Sequence, residues 1–178
     1  MDGEKIMLER RSTRKFDDYY VTEEELEELM KVAQYAPSWG NTQTPYFIAI
    51  RNIEIIKKIV EECYPKNPAT KCSLSSSLLL IACYKKGESG YYKDIDFNEV
   101  GTWAMFDTGL ACQNIMLRAY EMGLGTVIVG AYNFKKAKEI LNLDSQYEIS
   151  AIMPVGKRMN DEIAIPKRKD LKNFYRII

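Results

Sequence analysis

The sequence predicts an α+β fold, in which helices cover a central mixed sheet and one long helix lies at a homodimer interface. Residues 77–84 form an apolar run of strand length, which suits a strand buried on both faces. Residues 23–36 follow a capping box of Thr22 and Glu25 and place apolar side chains on one helical face. Residues 101–122 are apolar around almost the whole helix, so they need burial by a large core or by a partner chain.

Local signals define the other elements in the first half of the chain. A short helix over residues 3–10 ends at a basic segment, and Pro37 ends the helix over residues 23–36 because proline cannot continue helical hydrogen bonding. Three further segments are predicted: a strand over residues 45–51, a helix over residues 53–63, and a loop with aromatic tips over residues 85–99.

In the second half, Gly123 and Gly125 are expected to end the long helix. A strand over residues 126–129, a helix over residues 134–142 capped by Asn133, and a strand over residues 147–155 complete the pattern. The length suits one domain covering residues 1–178. Its end, about residues 170–178, is rich in apolar side chains, and we expect it to pack as an extension on the partner subunit.

Composition limits the chemistry that this chain can perform. It contains no histidine, and its four cysteines form no Cys-x-x-Cys pair, which excludes the common zinc patterns and every Ser-His or Cys-His nucleophile. We therefore expect no metal, and cysteines that act as small buried hydrophobes. The carboxylates of Asp94 and Asp96 lie in the predicted loop, where a solvated turn is favoured over catalysis.

Location in the cell can also be predicted from the sequence. No apolar run approaches the roughly 20 residues that a membrane helix needs. The first residues are polar and charged, unlike the apolar stretch of a secretory signal. The sequence therefore predicts a cytoplasmic protein without a membrane partner.

Charge is unevenly distributed along the chain, although the net charge is zero. Residues 5–15 carry five Lys or Arg against one Glu, and residues 157–178 carry seven against three acidic residues, a net charge of +4 in each segment. Two basic ends suggest an anion site where they converge. Two unrelated solvated tails would give the same charges. Nucleic-acid binding is a third alternative, but the acidic remainder weakens it, and we expect no such partner.

Three polar segments have the composition of ligand-binding segments. Residues 10–14 (Arg-Arg-Ser-Thr-Arg) offer guanidinium groups and hydroxyls, which suit a phosphate and the electron-rich edge of a ring. Residues 36–43 (Ala-Pro-Ser-Trp-Gly-Asn-Thr-Gln) form a bend that exposes backbone groups and side-chain amides. Residues 166–169 (Pro-Lys-Arg-Lys) are cationic and held near an extended conformation by the proline. Alone, each is also compatible with a solvated helix end or a connector.

Taken together and in order, these segments resemble the nitroreductase family. That family has an Arg-Arg-Ser-x-Arg segment near the N-terminus and an Ala-Pro-Ser-x-x-Asn-x-Gln bend about two dozen residues later. A long helix with Trp-x-x-x-Asp-x-Gly and Gln-Asn follows, then a Gly-Leu-Gly-Thr turn, a glycine that ends a strand, and a basic segment. The matching positions of the second half are Trp103, Asp107, Gly109, Gln113, Asn114, Gly123, Thr126 and Gly130. The resemblance covers residues 4–170.

The resemblance implies FMN as the cofactor and assigns residues to its phosphate and its ring edge. Arg10 and Ser12 match residues that grip the phosphate, and Lys167 and Lys169 match the cations that complete this grip. Arg14 matches the cation beside flavin N1 and O2. A fixed guanidinium there would stabilise the negative charge that reduction places on the ring.

The resemblance also implies that the 36–43 bend reaches the flavin of the other subunit. Val129 and Gly130 match the backbone segment that lies against the isoalloxazine ring. The full set of expected cofactor-binding residues is Arg10, Arg11, Ser12, Arg14, Pro37, Ser38, Trp39, Asn41, Gln43, Val129, Gly130, Lys167 and Lys169.

The activity that the resemblance implies is that of an FMN-dependent oxidoreductase working as a homodimer. Hydride would pass from NADH or NADPH through flavin N5 to a flat, electron-poor acceptor such as a nitroaromatic or a quinone, so no side chain need act as nucleophile or base. Two alternatives stay open: a reductive dehalogenase or another specialised member of the same fold, and a protein that binds flavin without turnover.

Overall fold

Helices cover a central sheet, as the sequence predicts. The computed structural model describes residues 2–93, 95–97, 102–159 and 164–178. Its helices are α1 (Gly3–Glu9), α2 (Glu23–Gln34), α3 (Ile53–Cys63), α4 (Thr70–Leu74), α5 (Trp103–Glu121) and α6 (Phe134–Leu141). Its strands are β1 (Pro45–Ile50), β2 (Leu78–Lys85), β3 (Tyr91–Tyr92), β4 (Ile95–Asp96), β5 (Leu124–Thr126) and β6 (Tyr147–Lys157). Short 3₁₀ helices lie at Trp39–Asn41 and Leu171–Asn173.

The central sheet has the strand order β1-β2-β6-β5. All pairings between these four strands are antiparallel. A parallel bridge joins Ser12 to Thr126 at the edge of this sheet. β3 and β4 form a separate two-stranded hairpin.

Both faces of the sheet are covered by helices, which explains the apolar run of β2. Leu78 and Leu80 pack with buried residues of α2 and α5 on one face. Leu79 and Ile81 pack with residues of α3 and α6 on the other face. A strand covered on both faces has no side that needs polar residues, and residues 78–84 are all buried.

Most predicted helices are confirmed to within two residues of their ends. The Thr22–Glu25 capping box is present, since each side chain accepts a hydrogen bond from the other residue's backbone N–H. Asn133 caps α6 by accepting from the N–H of Lys136. In these two cases a local hydrogen bond fixes the start of the helix, so the sequence is sufficient to place it.

Three expectations need correction. Gly125 does not end the long helix: Gly123 adopts a φ of +76°, which turns the chain at once, and Gly125 lies inside β5. The strand predicted over residues 126–129 is therefore shifted, and Val129 makes an isolated bridge with Ile152. The loop predicted over residues 85–99 contains the β3–β4 hairpin; Asp94 lies outside the described residues.

The N-terminal segment after α1 runs along the edge of β5 and the end of β6. The backbone N–H of Thr13 donates to Thr126 O at 2.9 Å, and that of Asp17 donates to Lys157 O at 3.0 Å. A Cβ at Gly125 would lie 2.6 Å from the Cβ of Thr13. The missing side chain therefore allows this close approach and fixes where the basic residues 10–14 lie.

Helix α5 crosses one face of the sheet and presents two different surfaces. Its buried residues are Ala104, Asp107, Thr108, Ala111, Cys112, Ile115 and Ala119. On the opposite side Met105 and Phe106 are 48% and 57% exposed, and Gly109 and Leu110 continue this apolar stripe at helical spacing. None of the helices in the described ranges, including this one, is long and apolar enough to cross a membrane.

We predict that Gly125→Ala destabilises the protein, because its Cβ would overlap the backbone-proximal atoms of Thr13. The expected loss is about 1–3 kcal/mol in the free energy of unfolding, as for other overpacked sites. Chemical denaturation measures it. Gly3→Ala is the control: a Cβ there meets nothing within 4 Å, and alanine favours the helix. Equal denaturation midpoints for Gly125→Ala and wild type would show that the close approach does not hold this segment.

Candidate functional site

The basic segment begins where α1 ends. Arg10 is the residue at the C-terminal end of α1, and its N–H donates to Ile6 O. Arg11 donates through Nη1 to the backbone oxygens of Leu8 and Arg10. Arg10, Arg11 and Ser12 are half-buried. The helix end and the sheet edge together hold these side chains in place.

The guanidinium of Arg10 lies in the field of two other positive charges. Burial lowers the pKa of Arg10, and the positive charges of Arg11 and Arg168 lower this pKa further. The Nε atoms of Arg10 and Arg11 are buried and have no hydrogen-bond acceptor among the described residues. Neighbouring positive charges, and buried N–H donors without an acceptor, are unfavourable unless an anion binds to them. This arrangement fits a phosphate group.

The C-terminal basic segment therefore reaches the N-terminal one, although they are far apart in sequence. The positive charge of Arg168 lowers the pKa of Arg10, and Arg168 and the expected phosphate ligands Lys167 and Lys169 are all exposed. In the sequence Arg168 lies between Lys167 and Lys169, but it was not among the expected phosphate ligands.

Arg14 is exposed, and its charge acts on Cys72 in α4, an element that was not predicted from the sequence. Burial raises the pKa of the Cys72 thiol in α4, and the charge of Arg14 partly offsets this effect. The turn before α4 is tied to the segment after Gly130, because Asn67 Nδ2 donates to Ala131 O at 3.2 Å. The Asn67-Pro68 pair is the turn signal that would have located this contact.

Val129 and Gly130 present a backbone surface rather than side chains. Val129 is buried, and it exchanges backbone hydrogen bonds of 2.8 and 3.1 Å with Ile152. Gly130 is exposed, and a Cβ there would meet nothing within 4 Å. The open space beside Gly130 leaves room for a flat group to approach the chain.

The bend before β1 has a closed and unusual backbone. The N–H of Gln43 donates to Ser38 Oγ at 3.0 Å, and the N–H of Asn41 donates to Ser38 O at 3.0 Å. Gly40, Asn41 and Gln43 have φ angles of +54°, +56° and +52°. Pro37 is exposed and Trp39 is half-buried. Asn41 and Gln43 expose their side-chain amides, as expected for a ligand-facing bend.

The bend and the basic segment lie at opposite ends of helix α5. Asp107, near the start of α5, accepts the N–H of Trp39 in the bend. Tyr120, near the end of α5, donates to the carboxylate of Glu9 beside the basic segment. At about 1.5 Å per residue, the helix between Asp107 and Tyr120 spans about 20 Å. The structure thus brings the arginines together and keeps them apart from the bend.

This fold and these segments match known proteins. The family model described as the nitroreductase family matches residues 7–157. The chain belongs to the nitroreductase family. A relative from Archaeoglobus fulgidus, named for NADH dehydrogenase or NAD(P)H nitroreductase activity, is 28% identical over 175 residues, which are 96% of this chain and 88% of that protein.

Solved nitroreductase structures have the same fold. A nitroreductase family protein from Clostridium difficile 630 superposes with a TM-score of 0.83 at 23% identity, covering 99% of this chain and 98% of the other. A structure titled an FMN-dependent nitroreductase, from Clostridium difficile R20291, has a TM-score of 0.75 at 23% identity, with 92% and 91% coverage. The α+β fold expected from the resemblance is confirmed.

Burial disfavours the nucleophilic thiolate form of the cysteines in this nitroreductase family member. All four cysteines are free and buried, as expected. Burial raises the pKa of the Cys83 and Cys112 thiols to about 12. Because only the thiolate is a nucleophile, these groups stay unreactive at neutral pH.

We predict that Arg10→Gln abolishes anion binding without lowering the stability of the anion-free protein. Without an anion, the variant should be as stable as wild type or more stable, since it removes a buried charge beside Arg11 and Arg168. Inorganic phosphate should raise the thermal midpoint of wild type by about 2–4 °C for each kcal/mol of binding, and this rise should be lost in Arg10→Gln.

The matched control for this experiment is Arg176→Gln, which removes an exposed arginine from the C-terminal segment. It should keep the phosphate effect. Chloride at the same ionic strength separates binding from general screening. An equal rise with phosphate in wild type and Arg10→Gln would contradict an anion site at the converging arginines.

Proposed function

We propose that this protein is an FMN-dependent oxidoreductase that passes hydride from NADH or NADPH to a flat, electron-poor acceptor such as a nitroaromatic or a quinone. The main support is the positive charge of Arg11 and Arg168 around Arg10, together with the buried, unmet Nε donors of Arg10 and Arg11. Membership of the nitroreductase family agrees with this function. One relative is named for NAD(P)H nitroreductase activity, and one structural neighbour is titled FMN-dependent.

The arginines and the adjacent hydroxyl would hold the phosphate of FMN. Arg10 and Ser12 come from the N-terminal segment, and Lys167 and Lys169 would add charge from the C-terminal segment, together with Arg11 and Arg168. Guanidinium forks match the geometry of phosphate oxygens. A charge-assisted contact of this kind also relieves the repulsion between the arginines.

Other residues would orient the flavin ring. When bound, FMN supplies the atom that accepts and releases hydride. Arg14 would lie beside the pyrimidine edge and stabilise the negative charge of the reduced ring. The backbone of Val129 and Gly130 would lie against one part of the ring, because no side chain at Gly130 blocks the approach.

The remaining ring contacts would come from a second copy of the chain. The contacts of α5 with the bend and with Glu9 beside the basic segment are about 20 Å apart along the helix. The bend and the basic segment at one ring would therefore come from different chains. Two copies packed about a two-fold axis through the exposed stripe of α5 would place the start of one helix beside the end of the other. Each bend, with Pro37, Ser38, Trp39, Asn41 and Gln43, would then meet the partner's basic segment.

The exposed apolar surface supports this homodimer. Met105 and Phe106 of α5 are half-exposed, and Phe174 and Ile177 of the C-terminal end are 80% and 87% exposed. Apolar surface of this extent is typical of protein interfaces. The end of the chain would extend over the partner subunit. We expect such a dimer to reside in the cytoplasm and to bind no nucleic acid.

We predict that the protein binds FMN in preference to riboflavin, since riboflavin lacks the phosphate that the arginines would bind. The loss of one charge-assisted contact should weaken binding at least tenfold. Quenching of flavin fluorescence measures both affinities. Anaerobic NADH or NADPH should then bleach the visible flavin spectrum. Equal affinity for the two flavins would refute the phosphate assignment, and bound flavin that neither nicotinamide reduces would indicate a binding protein without turnover.

We predict that activity is restored when two different defective chains are combined. Arg14→Ala removes the ring-edge cation, and Asn41→Gly removes the bend amide while tolerating the φ of +56°. If sites are shared, the mixed dimer has one site with both defects and one site with neither. Activity per mixed dimer should reach about half of that of wild type. No recovery in an isolated, folded mixed dimer would show that each chain builds its own site.

A further inference from the structure

Three polar residues on one face of α5 attach this helix to the segment that contains the bend. Arg118 pairs with Glu28 at 2.8 Å, and Asn114 Nδ2 donates to Val32 O at 3.0 Å. Asp107 is the third, and its position is different. Its carboxylate is 1% exposed, and its backbone partner belongs to the bend rather than to α2. A buried carboxylate is costly unless its oxygens accept hydrogen bonds.

The carboxylate of Asp107 contacts two separate segments. Both of its oxygens lie 3.2 Å from the backbone nitrogen of Trp39, which donates to them. Ser89 Oγ donates to Oδ2 at 2.6 Å. Ser89 is fully buried and leads into the β3–β4 hairpin. One carboxylate therefore links the bend to the base of the hairpin.

The base of the hairpin is firmly packed around Ser89. A Cβ at Gly90 would lie 2.9 Å from the Trp103 side chain, so the chain passes close to the start of α5. Phe97 N–H donates to Gly90 O at 3.0 Å and closes the hairpin. The position of Ser89 is thus fixed by its neighbours, and Ser89 in turn fixes one oxygen of Asp107.

The bend needs an anchor of this kind because its backbone is strained. Asn41 and Gln43 adopt left-handed φ angles, which are unfavourable for residues with a Cβ. The N–H groups of Asn41, Thr42 and Gln43 donate within the bend itself. The N–H of Trp39 donates outside the bend, to Asp107. This bond ties the closed bend to the body of the protein.

We propose that Asp107 is a positioning residue that fixes the 38–43 bend and couples its position to the β3–β4 hairpin. The inference rests on the proposed function in one respect: Ser38, Asn41 and Gln43 would face the partner's flavin. The hairpin exposes Tyr92 and Phe97, which are 58% and 61% accessible. Contacts made by the hairpin are thereby transmitted to the flavin-facing bend through one carboxylate.

Amide hydrogen exchange in the FMN-free protein tests this role. Asp107→Ala should accelerate exchange of the Trp39, Asn41, Thr42 and Gln43 amides at least tenfold, because the bend opens when its anchor is lost. Asp107→Asn keeps an oxygen that accepts from Trp39, so it should accelerate exchange less. Thr108→Val is the matched control: this buried neighbour donates within α5, to Ala104 O, and its loss should leave the bend amides unchanged.

The coupling to the hairpin has its own test. Ser89→Ala leaves the carboxylate in place and removes the hydroxyl that holds it. We expect faster exchange of the same four amides, and weaker FMN binding by about threefold to tenfold in both Ser89→Ala and Asp107→Asn. Conversely, Asp107→Ala, which opens the bend most, should accelerate exchange of the Phe97 amide in the hairpin.

Several outcomes would overturn the inference. The inference is wrong if the bend amides of Asp107→Asn and Ser89→Ala exchange as slowly as those of wild type. This comparison holds even if Asp107→Ala does not fold. Equal acceleration in Thr108→Val would also overturn the inference, since that would indicate a general loss of stability. The proposed function has a separate test. If wild-type protein binds no FMN, the proposed function is refuted. Hydrogen exchange in the FMN-free protein still decides the role of Asp107 in that case.

Discussion

The covering of β2 on both faces is the constraint on which the rest of the structure depends. Residues 78–84 are buried throughout, so the chain must supply a helical layer to each side of the sheet. α5 and α2 provide one of these layers. Since α5 connects the bend at its start to the basic segment at its end, the separation between the two groups follows directly from how the core is covered.

The parts of the fold that depend on local hydrogen bonds could be predicted from the sequence. The caps at Thr22 and Asn133 are examples, because the side chain and its N–H partner are three residues apart. The start of β5 was misplaced because Gly123 turns the chain immediately. The hairpin was missed because its two-residue strands are too short to show alternation. The antiparallel pairing of the sheet depends on tertiary contacts that no local pattern encodes.

The candidate site was predictable to a similar degree. Family motifs identified the basic segment and the bend, because their residue types are chemically distinctive. The approach of Arg168 to Arg10 depends on how the C-terminal segment crosses the molecule, and the sequence contains no signal for this. Asp107 belongs to the matched Trp-x-x-x-Asp-x-Gly motif, but the resemblance assigned it no role. Its role follows from a contact with Trp39, far away in sequence, that only the folded chain makes.

The distance between the bend and the basic segment has a consequence for how the cofactor is retained. In a homodimer with shared sites, each flavin would be held by two polypeptides, so the subunits could not separate without breaking both sites. By linkage, FMN would then strengthen subunit association by the same factor by which association strengthens FMN binding. Dilution would release flavin and subunits together, and cellular abundance of the chain would set the fraction of holoenzyme.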